Sequence, residues 1–245
     1  MNDPGRWKHN ATIPAMNYAW LSLIFLVPLL AAQTVTEVEI TAEPAHHLAM
    51  ENEYVRVFQV EAAPHAATLM HRHRHDYIFI TLGNSHISNQ IEGKEPIDVT
   101  LDDGEARFVG GNFAHIATNL SERPFRNVTI ELMQDEKMRS APSRWPEESG
   151  EKIAPGVVRK VLFIKDGARI SSITLEAGAT VPSHHHDGPH LFVAVNDCNL
   201  RSEIEGSGPI DGRFKSGDVK WMHGNYTHTL TNTGKQPAQF VTVEF

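Results

Sequence analysis

Short runs of apolar and β-branched residues, each bounded by Gly, Asn, Asp or Pro, recur along most of the chain. In the first half they cover 54–60, 77–82, 97–101 and 128–132, and in the second half 157–164, 169–175, 191–195, 210–214 and 240–245. After residue 32 no stretch keeps helical spacing for three turns. Many short strands separated by regular turn signals are typical of sandwiches and barrels, so the pattern predicts an all-β protein.

The pattern repeats at a fixed offset of 113 residues, without a gap. Histidines meet histidines at this offset: His71 with His184, His73 with His186, and His115 with His228. Segments with glycines and alternating apolar residues match as well: 91–93 with 204–206, 96–98 with 209–211, and 128–131 with 241–244. A shift that preserves all these features indicates a duplication, and hence two homologous β-domains in tandem.

Two segments fall outside the copies. In residues 1–32, Arg6 and Lys8 precede an apolar run at 19–32 that is shorter than the about 20 residues needed to span a bilayer. We interpret it as a cleaved signal peptide of an exported protein, periplasmic or secreted, without stable membrane association after cleavage; an uncleaved membrane anchor is the alternative.

Residues 134–156 carry three prolines and predict a linker between barrels at 33–133 and 157–245.

Composition narrows the function classes. A net charge of −8 and a pI near 6.0 argue against nucleic-acid binding, which requires a basic surface. Cys198 is the only cysteine, so the chain has no intrachain disulfide and no cysteine-based zinc site. The unusual feature is 15 histidines, several of them clustered.

The clustered histidines have the spacing of metal ligands. Side chains at positions i and i+2 of a strand share a face, so His71 with His73, and His184 with His186, can each direct two imidazoles to one point. A third histidine follows about 42 residues later in each copy, as His115 or His228. Neutral imidazoles suit divalent transition metals better than Ca²⁺ or Mg²⁺.

These residues resemble the two motifs of the cupin superfamily over nearly the whole mature chain. In its second motif a glycine is followed by a histidine and an asparagine, as in Gly104, His115 and Asn119 and again in Gly217, His228 and Asn232. Asn112 and Asn225 stand where the family has glycine, and asparagine tolerates a positive φ in a tight turn. The first motif departs at its glutamate, which is replaced by Tyr77 and His190.

The resemblance implies two tandem cupin-type double-stranded β-helix (jelly-roll) barrels, each with a histidine-rich metal site. The ligands that it implies are His71, His73 and His115 in the first copy and His184, His186, His190 and His228 in the second, with Tyr77 and His190 as candidate catalytic groups. Fe(II) is the favoured metal, and Zn, Mn, Ni, Co and Cu remain alternatives.

The function that the resemblance favours is a metal-dependent dioxygenase acting on a small enolic, phenolic or diketone molecule. Two alternatives stay open: a redox-neutral sugar or uronate isomerase or lyase, and a non-catalytic metal- or ligand-binding cupin. A small-molecule substrate is the expected partner, and a homodimer is left open.

Overall fold

The computed structural model of the protein describes residues 36–133, 151–165 and 167–245. The predicted signal peptide at 1–32 and the portion 134–150 of the predicted linker lie outside the described residues. Within the described ranges the regular elements are strands, apart from one 3-10 turn at Ile40–Ala42. Among these residues no helix is long and apolar enough to cross a membrane.

The first half forms two five-stranded sheets. Its strands are β1 (Val38–Glu39), β2 (His46–Glu51), β3 (Val55–Ala62), β4 (His71–His73), β5 (Tyr77–Leu82), β6 (Ser85–Ile91), β7 (Ile97–Leu101), β8 (Ala106–Val109), β9 (Phe113–Asn119) and β10 (Phe125–Leu132). The sheet orders are β1-β4-β9-β6-β7 and β2-β3-β10-β5-β8. The candidate ligands lie in the first of these sheets.

The second half repeats this arrangement. Its strands are β11 (Glu151–Ala154), β12 (Val157–Lys165), β13 (Ala168–Leu175), β14 (Thr180–His186), β15 (His190–Ala194), β16 (Cys198–Ile204), β17 (Pro209–Phe214), β18 (Val219–Met222), β19 (Tyr226–Asn232) and β20 (Ala238–Glu244). The sheet orders are β11-β12-β13-β20-β15-β18 and β14-β19-β16-β17. Strand β11 lies inside the predicted linker 134–156 and pairs with β12 at the sheet edge.

The two faces of strand β10 have different surroundings. Along β10, Asn127 and Thr129 line a cavity inside the first barrel. Val128 and Ile130, on the opposite face, are fully buried in a core shared with the second half. Because neighbouring side chains point to opposite faces, the same strand both lines the candidate site and joins the two halves.

The shared core consists of apolar residues from both halves. From the first half it includes Val57, Ile78 and Ile130, and from the second Ile170, Leu191 and Val241. The described residues of both halves accordingly belong to one compact unit. The observed β-sheets and the repeated order confirm the predicted all-β class with two tandem barrels. The domain limits at 33–133 and 157–245 stay a prediction.

Candidate metal centres

Strand pairing brings the predicted ligands together in both barrels. In the second, His184 on β14 lies opposite His228 on β19, and His186 is on the same face of β14 as His184. In the first, His71 on β4 lies opposite His115 on β9, with His73 two residues along. We call His184, His186 and His228 the second centre, and His71, His73 and His115 the first centre.

A tight turn before the third histidine fixes this register. Asn112 and Asn225 adopt positive φ values of 63° and 57°. Their backbone N–H groups donate to the carbonyls of His73 and His186, each at 2.6 Å. The expectation that asparagine serves a turn here is confirmed, and the turn ties the end of each His-x-His strand to the strand of the third ligand.

The second centre is a triangle of imidazole nitrogens. The Nε2 atoms of His184 and His186 are 3.1 Å apart, those of His186 and His228 are 3.2 Å apart, and those of His228 and His184 are 3.1 Å apart. Nitrogens bound to one ion at about 2.0–2.1 Å, with angles between octahedral and tetrahedral, lie about 2.8–3.4 Å from one another. The observed spacing is therefore that of three ligands of one metal ion.

The other ring nitrogen of each histidine faces a polar group, and in His184 this contact sets the tautomer. His184 Nδ1–H donates to the Pro182 carbonyl at 2.8 Å, which leaves its Nε2 lone pair facing the triangle. His228 Nδ1 is 2.7 Å from Ser202 Oγ, and His186 Nδ1 is 3.7 Å from Glu244 Oε1. Lone pairs that converge at this distance repel each other unless a cation lies between them. The donor set therefore fits a divalent transition metal.

In the first centre, two of the three histidines have comparable outer contacts. His71 Nδ1–H donates to the Leu69 carbonyl at 2.8 Å, and His115 Nδ1–H donates to Asn89 Oδ1 at 2.6 Å. The Nε2 atoms of His73 and His115 are 3.2 Å apart. His71 Nε2 is buried and has no hydrogen-bond partner among the described residues. A buried imidazole nitrogen without a partner also fits a metal ligand.

His46 is a fourth histidine at the first centre, and the sequence analysis missed it. It lies on β2, and ligand atoms of His46, His71 and His73 all lie within 4.8 Å of one another. Its Nδ1 is 2.6 Å from Glu43 Oε2. The available signal was a glutamate three residues before a histidine, but the position equivalent to His46 in the second copy is Arg159, so the repeat gave no support.

Tyr77 and His190 occupy equivalent positions and make equivalent contacts. The Tyr77 ring stacks on His73 and the His190 ring stacks on His186, each with a centroid distance of 4.1 Å and an angle of 18°. His190 Nε2 is 3.2 Å from the Tyr226 hydroxyl. The stacking places the His190 ring beside that of His186. The assignment of His190 as a fourth metal ligand stays a prediction.

A partly buried arginine–glutamate pair lies beside each centre. Arg169 contacts Glu244 at 2.8 Å, and the equivalent pair, Arg56 and Glu131, lies at 3.3 Å. Glu131 is 1% exposed, and burial raises the pKa of its carboxyl group. The register between these strands places Glu131 opposite Tyr77 and Glu244 opposite His190. Each barrel therefore carries a carboxylate next to the residue that stacks on the second ligand.

Burial keeps the ligand imidazoles neutral. It lowers the pKa of His71 and His228 to about 4 and that of His115 to about 3. The pKa values of His73 and His186 are lowered further, first by burial and then by neighbouring histidines. Metal binding requires the neutral form, so at neutral pH these five rings bind a cation without first losing a proton.

Cavities adjoin both centres. One of about 430 Å³ adjoins the first centre and is lined by Phe79, Lys94 and Arg107 among others. Two of about 260 Å³ each adjoin the second centre, one reaching Arg159 and Arg169 and the other Lys220 and Tyr226. Cationic side chains therefore line a cavity beside each cluster of histidines.

Comparison with solved structures identifies the architecture. AerE from Microcystis aeruginosa is 14% identical with a TM-score of 0.55, over 82% of this chain and 97% of that one. Oxalate decarboxylase from Bacillus subtilis is 13% identical with a TM-score of 0.56, over 78% and 68%. Salicylate 1,2-dioxygenase from Pseudoaminobacter salicylatoxidans, with gentisate, is 11% identical with a TM-score of 0.53, over 78% and 68%.

The chain has the fold of a two-barrel cupin. No protein-family model matches its sequence, and no curated protein matches it either. The bicupin resemblance seen in the motifs is confirmed at the level of the fold, with a histidine group that could hold a metal ion in each barrel.

Proposed function

We propose that this bicupin is a metal-dependent oxidoreductase of the dioxygenase type, with its reaction centre at His184, His186 and His228. The observation that carries the proposal is the triangle of Nε2 atoms at 3.1–3.2 Å. Three protein nitrogens leave coordination positions open to a substrate, as catalytic metal sites require. His184 and His186 are also partly exposed, so small molecules have access to the centre.

The favoured metal is Fe(II), with Zn, Mn, Ni, Co and Cu as alternatives. Bound there, iron would supply Lewis acidity and redox chemistry with dioxygen. The protein's own contribution is to hold the imidazoles of His184 and His228 in a fixed orientation through Pro182 and Ser202. Glu244, kept in place by Arg169, lies beside the third ring, His186.

The surrounding side chains favour a small anionic, oxygen-rich substrate. Arg159 and Arg169 line the same cavity as the three ligands, and Phe192, Met222 and Phe240 give it apolar walls. An arginine beside a metal can bind a carboxylate or enolate oxygen while the apolar walls hold the carbon skeleton. Enolic, phenolic and diketone molecules combine these features.

The experiment is oxygen uptake by the Fe(II)-loaded protein with catechols, diketones, flavonols and small keto acids. Metal-dependent uptake with at least one of them, lost in His228→Ala and retained in His185→Ala, is the expected result. His185 is a matched control because it lies between two ligands on the opposite face of β14, with its Nδ1 bonded to Thr227 at 3.0 Å. Equal uptake by both variants would contradict the proposal.

A redox-neutral isomerase or lyase acting on a sugar acid is the second candidate, and the pair of Tyr226 and His190 favours it. Burial raises the pKa of Tyr226 to about 12, so its hydroxyl holds a proton at neutral pH, 3.2 Å from His190 Nε2. Such a pair can deliver a proton beside the metal. Turnover of a sugar acid without oxygen consumption, reduced at least tenfold in Tyr226→Phe, would favour this candidate.

The location of the protein is a further proposal. We propose that residues 1–32 are removed and that the mature chain is exported to the periplasm or secreted. Mass spectrometry of the chain recovered after expression in a bacterial host tests this. Cleavage close to residue 32 is expected, and an intact N-terminus in a cytoplasmic fraction would refute it.

A further inference from the structure

We propose that His46 is the fourth nitrogen ligand of a divalent metal ion in the first barrel, and that Glu43 is its positioning residue. This goes beyond the proposed function, because it concerns the barrel that does not contain the second centre. The site would take a borderline cation such as Zn²⁺ or Cu²⁺, which four neutral imidazoles suit. It would also hold its metal more tightly than the three-histidine centre.

The position of His46 supports this assignment. Its ligand atom lies within 4.8 Å of those of His71 and His73. Its side chain is only 5% exposed, and its ring centroid is 4.6 Å from that of His71. Because Glu43 engages Nδ1, Nε2 is the atom available to a metal.

Glu43 is anchored in a way that fixes the His46 ring. It is 3% exposed, and besides His46 it accepts the backbone N–H of Ala45 at 2.8 Å and that of Leu69 at 3.1 Å. The carbonyl of the same Leu69 accepts from His71 Nδ1. Leu69 therefore orients two ligands from different strands. Its backbone N–H holds the Glu43 carboxylate that contacts His46, and its carbonyl accepts directly from His71. Carboxylate–histidine pairs of this kind orient metal ligands.

The N-terminal strap, residues 36–46, joins this arrangement to the His-x-His strand. Strand β1 pairs in parallel with β4, with Val38 opposite His71. Arg72, between the two ligands, binds Glu37 at 2.5 and 2.6 Å. Arg74, just after them, binds Glu39. Two ion pairs therefore hold the strap against the strand that carries His71 and His73.

The second barrel cannot build the same site. At the offset of 113 residues, Arg159 replaces His46 and Gly156 replaces Glu43. The positively charged side chain of Arg159 takes the place of the His46 ligand, so the two centres should differ in the number of ligands and in metal affinity.

The test compares His46→Ala with His47→Ala in the full chain. His47 is the matched control because it is the next residue of β2 and is exposed. Metal-free protein is titrated with Zn²⁺, and X-ray absorption counts the imidazoles around zinc in a His228→Ala background, where only the first site should fill. The control should bind one Zn²⁺ through four imidazoles. His46→Ala should show three imidazoles and at least about tenfold weaker binding.

Two results would contradict the proposal, one concerning His46 and one concerning Glu43. Wild-type affinity and four imidazoles in His46→Ala would overturn the ligand assignment. If circular dichroism shows that His46→Ala does not fold, Glu43→Gln decides: it should keep four imidazoles but bind Zn²⁺ about 10–100-fold more weakly. Unchanged affinity in Glu43→Gln would overturn the proposal. Binding of a second Zn²⁺ in the His228→Ala background would count against the second centre. The difference in Zn²⁺ affinity between His46→Ala and His47→Ala would still test the role of His46.

Discussion

Replacing Ile130 by alanine should destabilise both barrels at once. Ile130 lies in the middle of β10, opposite Val57 on β3 and Ile78 on β5. It is fully buried in the core that also contains Ile170 and Val241 of the second half. Loss of its side chain therefore opens a cavity between the two barrels rather than inside one of them.

The expected magnitude follows from the buried atoms. The substitution removes the three carbons beyond Cβ, each worth about 0.8 kcal/mol when fully buried. The unfilled cavity raises the total cost to about 2–5 kcal/mol. For a unit of this size each kcal/mol lowers Tm by about 2–4 °C, so a decrease of about 4–20 °C is expected.

The assay is differential scanning calorimetry of the metal-free protein. A single transition at lower temperature is expected, since the shared core couples the two halves. Ile97→Ala is the control, because Ile97 is 64% exposed and its loss should hardly change Tm. Two transitions of which only one shifts, or a change no larger than that of Ile97→Ala, would refute the idea of a common core.

Two further predictions concern the sites. Tyr77→Phe should leave the metal content of the first barrel unchanged by elemental analysis, because the ring that stacks on His73 is retained; a large loss of metal would make the Tyr77 hydroxyl a ligand. In the metal-free protein, burial lowers the pKa of His71 and His228 to about 4 from 6.5. The unfolded chain therefore binds protons that the fold does not, and the free energy of unfolding should fall as pH drops from about 6.5 to 4. Urea titrations at stepped pH measure this, and a flat profile over that window would contradict it.

The repeat made most of the fold predictable. An offset that aligned glycines, apolar alternation and three histidines required two similar domains, and the His-x-His spacing required two rings on one face. Strand register then placed His71 opposite His115 and His184 opposite His228. These features follow from local periodicity and from a comparison of the two copies, and a single sequence is enough for both.

The rest depended on contacts that leave no periodic trace. His46 reaches the first centre from β2, 25 residues before His71. Its counterpart in the second copy is Arg159, so the repeat shows no matching pair of histidines at this position. His190 replaces the motif glutamate, and the spacing could not show that its ring stacks on His186 or that its Nε2 faces Tyr226; its assignment as a ligand stays a prediction. Side-chain direction at the first residue of a strand is set by neighbouring strands, which spacing along the chain does not reveal.

Anomalous diffraction from crystals of the metal-loaded protein, recorded at the absorption edge of the metal, would locate the bound ions. Two peaks per chain are expected. One should be bonded to the Nε2 atoms of His184, His186 and His228, and the other should lie among His46, His71, His73 and His115. Absence of a peak at the triangle of Nε2 atoms, or a metal bound elsewhere with these rings turned apart, would contradict this expectation.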